Sequence, residues 1–476
     1  MQVRLRLMLK AIFAFVGRLL KAPPPTVVAP PRRAPDTVIG LGGRAMGAAA
    51  AKVPAANPSP ASAVLGLGAR RPLVAADGSL AGFEFYVGAA TLVRLQRATG
   101  DAGDVASRAY AANVLGAMRL CASQNLAALA KLPTGWLTLL PDELLLPGMH
   151  LVLHSDSSAA EATPGAAQAQ AAQTKLATEM ARLRGAGVLL GWCAATAGAA
   201  TPPGRPDFIA LPAPATTGVQ AWRDALTLSV SRWPGLPHMP HVLLELPDVD
   251  VMEAVLRPPV TLVACAIGAN VVPVRVQALP PQAQRLLQLL HRLVRDDDNA
   301  LLAQDIKADA ALSLGLLHHL NTAGASPGRV LDSIEQAVTV LGRDALYGWV
   351  AQMLVRMSPQ RPAAHYLQAM ALARARFLEL LARAAGEPSP GTLYLLGLAS
   401  MLPLLLQCSL ADAVDALPLP PQALAALHQQ SGPWRPYLAL AQALETHDML
   451  AAETLAVPFG GLATVLGHSA KAWLLH

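Results

Sequence analysis

Between Ala69 and Val87 apolar runs flank a central Asp77-Gly78 pair, so the segment reads as a strand, a tight turn and a second strand. Further strand-like apolar runs follow at residues 135–140, 150–154, 187–192, 207–211, 241–246 and 261–267. Helical stretches lie between several of them. In residues 172–184, for example, Leu176, Met180 and Leu183 recur at spacings of four and three. Strand, helix and strand in this order predict a parallel α/β barrel. Past about residue 270 the pattern turns helical. One helix runs to Lys307, a second runs from Asp309 to about His319, and a turn around Asn321-Thr322-Ala323-Gly324 and Pro327-Gly328 leads to a third. Asp309 and Asp332 stand where helix N-caps are expected, and Asn321 stands where a left-handed C-cap is expected.

With 476 residues the chain has room for two or three domains, and at 53% hydrophobic content each can bury a core. Aromatic residues make up only 4%, and alanine and leucine dominate, which favours helix over an all-β design. Cys121, Cys193, Cys265 and Cys408 are scattered, with no C-x-x-C and no Cys/His cluster at metal spacing. That pattern fits reduced thiols in a cytoplasm.

The net charge of +6 suggests nucleic acid until its location is traced. Residues 1–60 carry nine basic side chains against one acid, Asp36, so the remaining residues sum to about −2. A near-neutral folded part lacks the electrostatic footprint of a nucleic-acid surface. Within that first segment Met8, Ile12, Phe15 and Leu19 share one helical face, while Lys10, Arg18 and Lys21 lie opposite. The uncharged run between Lys10 and Arg18 is far shorter than the ~20 residues of a spanning helix, and Arg18 and Lys21 interrupt a signal-peptide pattern. Two readings stay open for residues 1–22: a disordered basic tail, or a peripheral anchor on the inner membrane surface. A linker rich in Pro, Ala and Gly follows. The chain thus divides into residues 1–62, 63–270 and 271–476.

The helical part resembles the HDOD domain, the HD-related output domain of bacterial signalling proteins. The resemblance rests on Lys307-Ala308-Asp309, on His319-Leu320-Asn321-Thr322-Ala323, and on Ser333-Ile334-Glu335-Gln336-Ala337-Val338 followed by Leu341-Gly342-Arg343. It assigns structural roles to Asp309, Asn321 and Gly342. The preceding part looks like an EAL domain, the cyclic-di-GMP phosphodiesterase barrel, from Arg71-Pro72-Leu73 through Gly82-Phe83-Glu84-Phe85. Together the two cover about residues 65 to 449 and imply a two-domain EAL–HDOD signalling protein.

EAL chemistry, as the resemblance implies, needs acids at strand ends to hold two divalent metals. Here Glu84 keeps its place and Glu245 aligns with a second glutamate. The other family positions hold Thr138, His154, Gly191-Trp192, Ala210, Pro212 and Ala264. Metal phosphohydrolysis of the HD type needs a His-Asp dyad on a helix, and Gly397-Leu398-Ala399-Ser400 occupies that place. His318-His319 cannot chelate as adjacent helix residues, and one of them reads as a core or cap histidine. His447-Asp448, the single literal His-Asp pair, reads as a chance occurrence at a helix end. The expectation is a non-enzymatic signalling scaffold that uses no metal or other cofactor, lies in the cytoplasm and acts on other signalling proteins. The alternative is a catalytically inactive cyclic-di-GMP receptor.

Overall fold

The computed structural model describes residues 68–88, 91–93, 95, 101–154, 166–193, 204–216, 218–232, 238–266, 278–322, 333–358, 361–416 and 419–474. All of them belong to one compact unit, Asn57–His476.

Eight strands close into a barrel in chain order. They are β1 Arg70–Ala75, β2 Leu80–Phe85, β3 Ala127–Pro133, β4 Met149–His154, β5 Leu189–Cys193, β6 Phe208–Leu211, β7 His241–Leu246 and β8 Val260–Cys265. From β2 onward the strands are parallel, whereas β1 runs antiparallel to both β2 and β8. The Asp77-Gly78 turn makes that reversal. The Asp77 carboxylate accepts from the Ser79 N–H at 3.0 Å and from its hydroxyl at 2.6 Å, and Gly78 takes a φ of 77°. Helices α1 Asp101–Ala122, α2 Ala166–Gly185, α3 Val219–Arg232 and α4 Val249–Val255 follow strands of the barrel.

One expected strand is a helix. Residues 135–140 fall on a 3-10 helix, Thr134–Leu139, in which the neighbours Trp136 and Leu137 are both buried. Adjacent residues of a strand face opposite sides, so joint burial beneath one layer needs a turn. The strand at this point is β3, Ala127–Pro133, whose alanine-rich sequence gave no β signal.

The remainder is helical. In order come α5 Pro281–Val294, α6 Asn299–Lys307, α7 Ala310–Thr322, α8 Ile334–Leu341 and α9 Arg343–Arg356. Then follow α10 Ala364–Ala384, α11 Pro390–Ala399, α12 Leu402–Leu406, α13 Leu410–Ala416, α14 Pro421–His428, α15 Arg435–Glu445, α16 Met449–Ala456 and α17 Leu462–Leu474. Asp309 caps α7, its carboxylate accepting from the N–H groups of Ala311 at 2.9 Å and Leu312 at 3.1 Å. Ser333, rather than Asp332, caps α8 by accepting from Gln336 N–H. Asp332 itself lies outside the described residues. The second helix also runs further than the sequence suggested. Asn321 sits in its last turn, so it is not a left-handed cap, and its side chain lies outside the description. Gly342 joins α8 to α9 with φ 75° and ψ 163°, a region reserved for glycine.

One of the apolar clusters among the described residues runs from part of the barrel wall into the helices. It passes from Leu243 and Val263 on the barrel wall, through Met252 of α4, to Leu367 and Leu378 of the central helix α10. Tyr366, fully buried at the start of α10, donates its hydroxyl to the Cys265 carbonyl at 3.4 Å, and its own N–H donates to the Gly78 carbonyl at 3.2 Å. The boundary near residue 270 therefore separates two architectures that are joined by one shared apolar cluster.

Candidate functional site

Side-chain alternation decides what enters the barrel. Leu73, Leu129, Val152, Phe208, Ala210, Val242, Leu244 and Ala264 form a cluster of their own, the packed lumen. One alternation further toward the ends of the parallel strands come Arg71 beside Leu73, Glu84 opposite Arg71 in the β1–β2 register, and Lys131 beside Leu129. Glu245 joins them from β7, where the ladder slips between Leu243 and Leu246 and Glu245 takes a φ of 64°.

These four side chains form a charge-compensated cluster. Arg71 donates through Nε at 3.0 Å and Nη2 at 2.5 Å to Glu84 Oε2, with both side chains almost completely buried. Lys131 Nζ lies 2.7 Å from Glu245 Oε1 and 3.8 Å from Glu84 Oε1. An ammonium thus stands between the two carboxylates. Burial alone would raise the Glu84 carboxyl, but Arg71, His447 and Lys131 together hold it below the ordinary carboxylate range. Nearby Cys193, at the end of β5, has its thiol pushed up by burial, with Lys131 pulling it down less strongly, so it is no ready nucleophile.

The fifth member comes from the helical region. His447, in the turn between α15 and α16, has a φ of 59° and sets its ring edge-on to Tyr86 with centroids 5.6 Å apart. Its Nε2 is sealed from solvent, with no hydrogen-bond partner among the described residues. Burial, opposed by Glu84, pushes the imidazole down to about 4. Next to it Asp448 caps α16 through the Ala451 N–H at 3.0 Å. The His-Asp pair read as chance is therefore a turn whose histidine sits at the barrel mouth and whose aspartate starts a helix.

The other sequence-selected positions divide in two. His154, Gly191, Ala210 and Ala264 share the parity of lumen residues on their strands, while Trp192 packs on the outer wall and Thr138 is exposed on the 3-10 helix. Thr138 is thus no lumen position at all. In the helical part Ser400 accepts from the guanidinium of Arg374 at 2.9 Å, and Arg374 pairs with Glu445 through Nε at 2.9 Å. An Arg–Glu–Ser network fills the place where a His-Asp dyad was sought. His319 is half-buried with its ring 6.4 Å from Trp349, and His318 is exposed. Among the described residues no three His, Cys, Asp or Glu side chains gather to hold a metal ion, and no single helix is long and apolar enough to cross a membrane. Met8, Ile12, Phe15 and Leu19 lie outside the described residues.

Sequence reading missed Arg71, Lys131 and His447 as members of this site. Lys131 alone left a signal, as the one charge in the apolar run Ala-Ala-Leu-Ala-Lys-Leu-Pro.

Comparison with known proteins bears on the helical part by domain. Residues 277–416 match the HDOD domain model. The chain is 26% identical over 164 residues to "Uncharacterized protein YuxH" of Bacillus subtilis, covering 34% of this chain and 40% of that one. It is 31% identical over 166 residues to "Cyclic di-GMP phosphodiesterase CdgJ" of Vibrio cholerae, covering 34% and 36%. The aligned parts therefore span well under half the length of these relatives. A crystal structure of an HDOD domain protein with unknown function from Geobacter sulfurreducens matches 43% of this chain and 91% of its own, at 16% identity and a TM-score of 0.28. The chain thus carries an HDOD domain at residues 277–416, preceded by a closed eight-stranded barrel.

Proposed function

We propose that this protein is a non-enzymatic component of cyclic-di-GMP-related signalling, built on a degenerate EAL-like barrel and an HDOD domain and acting by contact with other signalling proteins. The observation that carries the reading is the position of Lys131 between Glu84 and Glu245. Two-metal hydrolysis needs carboxylates whose charge is free to bind divalent ions. Here Arg71 and Lys131 already compensate that charge, and His447 lies over the same end of the barrel. The HDOD match supports a signalling role, and the cyclic-di-GMP phosphodiesterase named among the relatives supports the nucleotide connection. Its unpaired cysteines support a cytoplasmic setting. The basic amphipathic pattern of residues 1–22 supports a peripheral contact with an anionic bilayer.

Purified full-length protein incubated with cyclic-di-GMP and magnesium or manganese tests this. No hydrolysis above a protein-free control is expected. Turnover that disappears in Glu84→Ala overturns the proposal, and saturable binding without turnover would make the protein a receptor instead. Nucleic acid has no place in this reading.

A further inference from the structure

Arg70 and Arg71 are neighbours with opposite fates. Alternation along β1 sends Arg71 into the lumen, where Glu84 neutralises it, and sends Arg70 to the outer wall. There the Arg70 guanidinium carbon stands 5.1 Å from the centre of the Phe83 ring, and Trp473 of α17 meets the same ring edge-on at 5.2 Å. Among the described residues no carboxylate and no hydrogen-bond acceptor reaches Arg70, although burial holds its guanidinium below the ordinary arginine range. A half-desolvated cation over an aromatic face, with the Cys121 thiol near it and no carboxylate in hydrogen-bonding reach, is left short of compensation.

Two cavities open onto this same side chain. One, of about 50 Å³, is bounded by Arg70, Phe83, Cys121, Gln124 and Trp473; the other, of about 30 Å³, by Arg70, Phe377, Glu445 and Ser469. A single water needs only about 10–15 Å³ of such space. The larger cavity therefore has room for several non-hydrogen atoms, with one cation and one amide on walls that are mostly apolar.

We infer that the Arg70 cleft, between the barrel wall and the last helix, is a binding site for a small oxyanion, a carboxylate or a phosphate. The guanidinium fork matches two oxygens of either group, and an ionised partner gives the stronger class of hydrogen bond. Gln124 supplies a further donor. Bound there, the anion lies between β1, the turn after α1 and α17, and this site is separate from the lumen cluster.

The test uses the full chain in chloride buffer at fixed ionic strength, titrated with inorganic phosphate and separately with acetate, and read by calorimetry and by melting temperature. Saturable binding of either anion, weakened at least tenfold in Arg70→Met, is the expected result. Methionine keeps the apolar stem against Phe83, and Arg70→Lys, which keeps the charge but loses the fork, should bind at intermediate strength. Response to phosphate alone or to acetate alone identifies which oxyanion the site takes. The absence of saturable binding to the wild-type chain overturns the proposal, a result that needs no variant to fold. Equal binding by Arg70→Met overturns it too.

Discussion

Arg361 closes on Glu253 with both ends of its fork, Nε to Oε1 at 2.6 Å and Nη2 to Oε2 at 2.9 Å. Glu253 lies on α4 of the barrel and Arg361 just before α10, so the pair joins the two architectures. The same carboxylate accepts the Ala363 N–H at 2.9 Å, and Arg361 also donates to the Leu404 carbonyl at 3.3 Å. Arg361 is 9% exposed and Glu253 18%, so solvent does little to replace a lost partner. Arg361→Ala should lower stability by about 2–4 kcal/mol, because it strands a largely buried carboxylate. Adding Glu253→Gln should restore part of that, with a coupling of about 1–3 kcal/mol in a urea-unfolding cycle. Additive single losses would show that the pair does not hold the junction.

Two glycines separate backbone strain from steric exclusion. Gly78 and Gly342 have nearly equal positive φ, 77° and 75°. A Cβ on Gly78 would stand 1.5 Å from the Pro362 carbonyl oxygen, whereas one on Gly342 meets nothing within 4 Å. Gly342→Ala should therefore lose only the conformational cost, about 1–3 kcal/mol. Gly78→Ala must also push the hairpin away from the start of α10 and break the Tyr366 hydrogen bond, so its loss should be larger. Equal melting-temperature losses in the two variants would refute the steric part of this account.

Asp309 offers a test of the HDOD-type helix start. Its side chain is 12% exposed, accepts two backbone N–H groups of α7 and lies 3.3 Å from Arg285. Asp309→Ala should lose about 1–2 kcal/mol, and Asp309→Ser should recover most of it, since a hydroxyl caps nearly as well. If serine proves no better than alanine in denaturant unfolding, the ion pair rather than the cap is what stabilises this end.

How far the sequence foretold all this depends on the distance between partners. The Asp77-Gly78 hairpin, the strand-like runs from residue 150 onward, the helix ending at Lys307 and the Asp309 cap are all local, and each was legible. β3 was not, because Ala-Ala-Leu-Ala-Lys-Leu-Pro lacks β-branched residues and Gly-Trp-Leu-Thr-Leu-Leu beside it has the better strand composition. The mouth cluster was hidden for a different reason. Lys131 and Glu245 are 114 residues apart, and His447 arrives from a helical region that shares no motif with the barrel. Only closure of the sheet and docking of α15 and α16 bring them together.

His447 makes that docking sensitive to acid. Its imidazole is held at about 4, burial outweighing the pull of Glu84, against about 6.5 in an unfolded chain. Between those values the unfolded chain binds the proton and the folded chain refuses it. Stability from this group is therefore complete above pH 6.5 and falls as the pH drops toward 4, by up to about 3 kcal/mol. His150 and His241 are pushed down by burial as well and act in the same direction, so the wild-type slope alone assigns nothing. Glu84 acts in a lower window, since a carboxyl held below its usual range loses its contribution only as the pH falls under about 4.3. The difference between wild type and His447→Gln isolates the one residue, because glutamine does not titrate. Urea unfolding at pH 7 and pH 5 should show the wild type losing more stability than the variant, by about 1–2 kcal/mol. Parallel losses in the two proteins would mean that His447 reaches solvent and protonates without leaving the barrel mouth.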